Sequence, residues 1–314
     1  MLKRITIKKI TITSIALFAL LLIYALPPTN DLKTTSKLEY VDKTVNTHKI
    51  FLLDKNGYVS LTNIEIKNTN LDLLARELIT DLTKGKSENI PSGFEAIIPP
   101  DTKIISLKQD KDLLKIDFSE DIFDVSKELE EKMIEAITYT LTSIEGINKI
   151  IIYAEGEVLT KLPKSKINLP STLDRTFGIN KEYEFTSLNN INDVTVYYAN
   201  ENNGNYYYVP VTKYLNDERD KANIIVDEMS INFNYNKNLK SLVNSQTKLQ
   251  NVILEKKVLN LAFNSYIYDN LEEKDLSNEV KEMIVLSMQD NYDIEEVIFT
   301  VDNKEIYKSK KNES

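Results

Sequence analysis

At 314 residues, with 42% apolar and 28% charged side chains and a net charge of −9, the chain has a globular composition and the length for two ordinary domains. It has no cysteine and a single histidine, His48. Disulfides, thiolate metal sites, thiol nucleophiles, a lipid-modified cysteine and a histidine-dependent triad in each half are thereby excluded.

Residues 1–9 carry Lys3, Arg4, Lys8 and Lys9, ahead of an apolar run at 10–26 broken only by Thr11, Thr13 and Ser14. A bilayer takes about 20 residues to cross, so this short run reads as a transmembrane anchor or a signal segment. No small-x-small cleavage site precedes Pro27-Pro28, which favours the anchor. The basic residues stay cytoplasmic by the positive-inside rule, sending the rest of the chain to the extracytoplasmic side of the cell membrane. Without those four cations the exported part is more acidic than the whole, which argues against nucleic acid and anionic lipid as partners. Residues 27–48, polar and without periodicity, are expected to be a tether. His48, where the tether meets the first strand, reads as a surface residue.

From residue 49 the signals are regular. IFLLDKNGYVSLT has a hairpin turn at Asn56-Gly57. Leu71, Leu74, Ala75, Leu78 and Leu82 make a helical stripe. TKIISLKQDKDLLKIDFSEDIFD, from Thr102, reads as two strands, the second with Leu114, Ile116 and Phe118 on one face and Lys115 and Asp117 on the other. Met133, Ile137 and Leu141 mark a second helix, and a strand from Ile147 closes the unit at about residue 157. Residues 158–193, with Pro163, Pro170 and Gly178, read as a linker able to pack on both units or to let them move.

The same order then returns. A hairpin turn stands at Asn203-Gly204, followed by a stripe at Ala222, Ile225 and Met229. TKLQNVILEKKVLNLAFNSYIYD, from Thr247, repeats the paired strands with Leu259, Leu261 and Phe263 at an offset of 145. Val280, Ile284 and Met288 answer the second helix at an offset of 147, and a strand from Ile294 closes the unit at residue 305, leaving 306–314 as a polar tail. A recurrence of buried positions at a near-constant offset is the signature of a tandem repeat. The fold class is α+β: two repeats, 49–157 and 194–305, each in the order β-β-α-β-β-α-β with two helices on one mostly antiparallel sheet. The expected core is Leu78, Leu114, Ile116, Phe118 and Ile137 in the first repeat, and Ile225, Leu259, Leu261, Phe263 and Ile284 in the second.

Ala75 to Leu82, the turn Pro100-Asp101-Thr102-Lys103, Leu114 to Ser119, Ala136 to Leu141 and Ile147 to Gly156 together resemble the GerM domain. In the second copy Val209-Pro210-Val211-Thr212, Ala222 to Met229, Thr247-Lys248, Leu259 to Phe263 and Ile294 to Val301 match the same pattern. The resemblance implies an exported module of spore-forming bacteria, associated with sporulation and germination and often in tandem behind a membrane anchor or lipid attachment. The copies differ in places: Thr62-Asn63-Ile64-Glu65 stands where the second has Val209-Pro210-Val211-Thr212, and Asp117 and Ser119 become Ala262 and Asn264.

No cofactor or metal is expected, and no catalytic residue. Asp117 and Ser119 face away from Phe118, yet no histidine or lysine is fixed beside them and the second copy lacks both. The acidic run Asp117, Glu120, Asp121 and Asp124 lacks the alternation and glycine of a calcium loop and reads as a solvated face. Tyr206-Tyr207-Tyr208 offers an aromatic face for glycan or protein, but strand alternation buries at least one ring, so core packing is favoured. The expectation is a non-catalytic interaction protein, docking by sheet edges or helix faces to envelope or sporulation-complex proteins. A peptidoglycan- or cortex-binding module is the alternative and a wall-modifying enzyme a further one; oligomerisation stays open.

Overall fold

A computed structural model describes residues 47–68, 70–231 and 238–310. The membrane segment and most of the tether lie outside the described residues, among which no helix is long and apolar enough to cross a membrane. Thr47 and His48, assigned to the tether, already belong to the first strand.

Each repeat opens with a hairpin: β1 (Thr47–Asp54) with β2 (Val59–Glu65), and β9 (Asn192–Asn202) with β10 (Asn205–Leu215). The β9–β10 turn has two central residues, Asn203 at φ 51° and Gly204 at φ 81°, the paired positive φ of a type I′ turn and the reason Asn-Gly stands there. In β1–β2 the buried Asp54 carboxylate holds a longer turn, accepting from the N–H groups of Asn56 (2.8 Å) and Tyr58 (2.9 Å).

A helix follows each hairpin. Asn70 caps α1 (Leu71–Asp81), its side chain accepting from the N–H groups of Asp72 and Leu73; Asp220 caps α3 (Lys221–Ser230) through the N–H of Ala222. The unit is completed by β4 (Ile104–Asp110), β5 (Leu113–Phe118), α2 (Glu130–Leu141) and β6 (Lys149–Ala154). The second copy supplies β11 (Leu249–Glu255), β12 (Val258–Phe263), α4 (Asn278–Asn291) and β13 (Glu296–Val301). All ten expected core residues are buried.

The sheets differ from the expected one per repeat. Each repeat has a four-stranded sheet, β4-β5-β6-β7 with β7 at Glu157–Val158, or β11-β12-β13-β14 with β14 at Lys304–Lys310. The central pairs, β5–β6 and β12–β13, are parallel, because α2 and α4 are the crossovers that join them. β14 also shows that 306–310, assigned to the polar tail, is strand. The opening hairpins leave these sheets and fuse across the repeats: β2 pairs antiparallel with β10 at Leu61 and Tyr208. The six-stranded sheet runs β3-β1-β2-β10-β8, with β9 also on β10, β3 at Phe94–Glu95 and β8 at Glu182–Tyr183.

The segment 158–193 is built into the structure. Leu159, Leu162, Leu169, Leu173 and Ile179 are buried in the first core, Leu173 bridges Ile150 of β6, and β8 extends β10 in parallel. It covers the face of α2 that a single-stripe helix would leave in water. Glu130 accepts from the N–H groups of Lys164 (2.9 Å) and Ser165 (2.5 Å), and Glu135 from that of Asn180 (3.0 Å).

Candidate functional site

The residues singled out for chemistry turn out to be fastenings. Asp117 accepts from the N–H of Gly156 at 3.1 Å and so ties the β6–β7 turn to β5. The Ser119 hydroxyl accepts from the Lys103 N–H (3.0 Å) and donates to Asp121 (2.8 Å). Asn264 repeats the first contact, its side-chain oxygen accepting from the Lys248 N–H at 3.1 Å. Serine and asparagine thus do one job in the two copies: holding the Thr-Lys turn to the end of the core strand. Glu120 and Asp124 are exposed, and no cluster of metal-binding side chains occurs among the described residues. His48 is half-buried opposite Ile64, and burial lowers its pKa against the opposing pull of Glu77. Of the three tyrosines, Tyr207 is buried and donates to Asp54 (2.8 Å), Tyr208 packs against both cores and Tyr206 faces solvent.

What the structure does concentrate is a seam between the repeats. Arg175, from the connecting segment, donates to Asp290 of α4 at 2.5 Å and to the Ser143 hydroxyl at 3.0 Å, with its guanidinium 4.7 Å from the Tyr139 ring centroid. The other Asp290 oxygen accepts from the Tyr197 hydroxyl at 2.7 Å. One cation therefore joins both repeats, in a place where burial raises the pKa of the Tyr139 and Tyr197 phenols and nearby Asp290 raises them further. Hydrophobic contact crosses the seam as well: Tyr197 and Leu286 belong to the core of the first repeat, while Tyr58 and Phe94 pack on that of the second.

Pro210 explains the departure noted between the copies. A proline inside a sheet withholds a ladder N–H. Here Asn180, held at φ 47°, fills the gap between β2 and β10: it donates to the carbonyls of Val59 and Pro210 (both 2.8 Å) and accepts from the Val59 N–H (3.0 Å). A proline in a strand was the available sign that a side chain must take over from the backbone, although nothing local to Pro210 points to a residue thirty positions away. Beside Asn180, Lys181 pairs with Glu131 (2.7 Å) and Glu135 (3.6 Å). Burial, partly offset by Lys181, pushes the Glu135 carboxyl up to about 7.

Most sheet edges are closed. The β1 edge is covered by β3 and α2, the Phe51 N–H donating to the Thr140 hydroxyl at 3.0 Å; on β9 the Tyr197 N–H donates to the equivalent Ser287 hydroxyl at 2.9 Å. β7 has two residues, and β14 carries Lys304, Glu305, Lys308 and Lys310. Shortness and charge both discourage edge pairing. β4 carries Lys108 and Asp110. β11 differs: Leu249 to Leu254 is free of charge, with Ile253 43% and Leu254 49% exposed. Neighbouring strand residues point to opposite faces, so Ile253 and Leu254 put one exposed aliphatic side chain on each face of this edge, beside the polar Gln250, Asn251 and Glu255.

The same architecture is found in known proteins. A family model described as Germane: Sporulation and spore germination matches residues 49–160 and 195–307. The spore germination protein GerM of Bacillus subtilis (strain 168) is 30% identical over 290 residues, which cover 89% of this chain and 77% of that protein. The solved structure of the tandem GerMN domains of the sporulation protein GerM from Bacillus subtilis aligns with a TM-score of 0.75 at 30% identity, covering 82% of this chain and 91% of that one. The family match falls on both repeats, and the chain belongs to the Germane family of sporulation and spore germination proteins.

Proposed function

We propose that this chain is a non-catalytic interaction protein of sporulation or spore germination. The N-terminal segment holds it at the extracytoplasmic face of the cell membrane, and its β11 edge docks to a protein of the envelope or intermembrane assembly. The observation that carries this reading is the contrast among edges: β11 runs free of charge from Leu249 to Leu254 and exposes Ile253 and Leu254, on a body whose other edges are short, more heavily charged or covered. The engagement of Asp117, Ser119 and Asn264 in holding the fold supports it.

The test is a photo-crosslinker at Ile253 and, as control, at Lys304 on β14, in sporulating cells producing the full chain. A discrete protein adduct from position 253 alone, lost on Leu254→Lys, supports edge docking. The Ile253→Lys/Leu254→Lys variant should then accumulate normally yet impair spore formation or germination. Normal spores from that variant refute the reading, and adducts with muropeptides only would favour a wall-binding module.

A further inference from the structure

The first repeat contains a cavity of about 310 Å³ between α1 and the start of β4, with no counterpart role in the seam or the β11 edge. Arg76, Lys86 and Lys103 line it, against an apolar wall from Ile104 with the buried Ile79 and Phe118 behind it, and no acidic side chain does. Three cations around one hollow are unusual in a protein of net charge −9. Arg76 is partly committed, its Nε bonded to Asp72 at 2.9 Å. Lys86 reaches only a neutral partner, the Thr102 carbonyl at 2.9 Å, and Lys103 has no ion pair among the described residues. Thr102, also in the lining, is 4% exposed, and its hydroxyl is buried without a hydrogen-bond partner. A buried polar atom left unsatisfied costs stability and marks a place where a partner is missing.

The second repeat shows what belongs there. Thr80, which lines the cavity, corresponds to Asp227 at the offset of 147, and Lys103 to Lys248 at 145. Asp227 places its carboxylate 2.6 Å from Lys248 and 2.6 Å from Arg219. Burial works against its charge, but the hydrogen bonds from Lys248 and Arg219 win and hold the carboxyl below its usual range. The hydroxyl of Thr247, equivalent to Thr102, is satisfied by the Tyr266 carbonyl at 2.9 Å. The second copy therefore neutralises its lysine internally, while the first keeps that lysine, has Thr80 in place of the carboxylate, and has Asp72, paired with Arg76, where the second has Arg219.

We propose that the first-repeat cavity binds an external organic carboxylate: its oxygens between Lys103 and Lys86, above the buried Thr102 hydroxyl, and its carbon body against the half-buried Ile104. The volume is at the lower end of the roughly 300–1,000 Å³ typical of small-ligand pockets, which suits a small free acid or the terminal carboxylate of a peptide.

Calorimetric titration of the full chain with phenylacetate, with N-acetyl-dialanine and with the carboxamide of that dipeptide separates the two sources and tests the charge. A dissociation constant of about 1 mM or tighter is expected for phenylacetate if the ligand is a free acid, or for the dipeptide if it is a chain end. The carboxamide should bind at least about tenfold more weakly, and raised salt should weaken the carboxylate. Thr80→Asp supplies the carboxylate of the second repeat at an exposed helix position; it and Lys103→Gln should each lower affinity at least about tenfold with the melting temperature unchanged. No binding of either carboxylate up to about 10 mM overturns the proposal, as does equal binding of acid and carboxamide, or affinity unchanged in both variants.

Discussion

Replacing Arg175 with Met tests the seam most directly, because one side chain joins the two repeats. The pair it makes with Asp290 is largely enclosed, with side-chain exposures of 22% and 9%. Removing one member of a buried pair costs about 3–5 kcal/mol, since the other charge stays behind without compensation. Asp290 would retain the Tyr197 hydroxyl at 2.7 Å, and water can reach the arginine position, so the lower end applies: about 3 kcal/mol for Arg175→Met. A further loss of about 0.5–1 kcal/mol comes from the guanidinium over Tyr139. The double variant Arg175→Met/Asp290→Leu removes both charges and should recover most of the loss, because apolar replacements of similar volume at a buried ion pair are often neutral. Urea unfolding of the full chain, followed by far-ultraviolet circular dichroism, measures all members of the cycle. A cost below about 1 kcal/mol for Arg175→Met, or no recovery in the double variant, would refute the view of Arg175 as a clamp.

Three other outcomes follow from named contacts. Phe118→Ala and Phe263→Ala should each cost about 3–5 kcal/mol in chemical denaturation, as both rings are fully buried; a cost below about 1 kcal/mol for either would mean the ring is not a core residue. Asn180→Ala should cost about 2 kcal/mol and speed amide exchange at Val59, whose N–H and carbonyl it bonds; unchanged exchange there would show that the backbone closes the gap unaided. For Glu135 the folded pKa, about 7, stands above the usual 4.5. The folded protein then holds a proton that the unfolded chain has released between these values, so stability should fall as pH rises from about 4.5 to 7, by on the order of 3 kcal/mol from this group. Glu135→Gln should remove that slope, and an identical slope in the variant would count against the elevated pKa.

Local physics was legible in the sequence and pairing at a distance was not. Asn203-Gly204 announced its turn because few residues other than glycine and asparagine accept positive φ, and Leu114, Ile116 and Phe118 announced their strand phase because one face had to be buried. Nothing within ten residues of Leu61 says that its strand will pair with Tyr208, since that contact depends on how two finished hairpins meet. The environment of the polar residues of α2 was out of reach for a related reason: Glu130 and Glu135 are buried because the connecting segment brings the N–H groups of Lys164, Ser165 and Asn180 to them. Residues 306–310 were missed because β14 is an edge strand whose lysines read as a tail, although Ile306 and Tyr307 pack on the second core. The candidate surfaces were the hardest part. An exposed edge is defined by what fails to cover it, and the first-repeat cavity by the absence of a carboxylate at Thr80 that only the folded second copy makes meaningful.

The shared six-stranded sheet also bears on how the two copies can be separated. Cutting the chain between them would strip β10 from β2 and remove Asn180 or its targets, leaving a strand whose hydrogen-bonding side faces water where it had faced a near-copy of its own hairpin. Another molecule carries that hairpin too. Excised repeats are therefore primed for strand exchange, in which the β1–β2 hairpins of two molecules reconstruct the seam between chains. In the intact protein the covalent connection places the correct hairpin beside β2 at a high effective concentration, which favours the intrachain pairing over exchange.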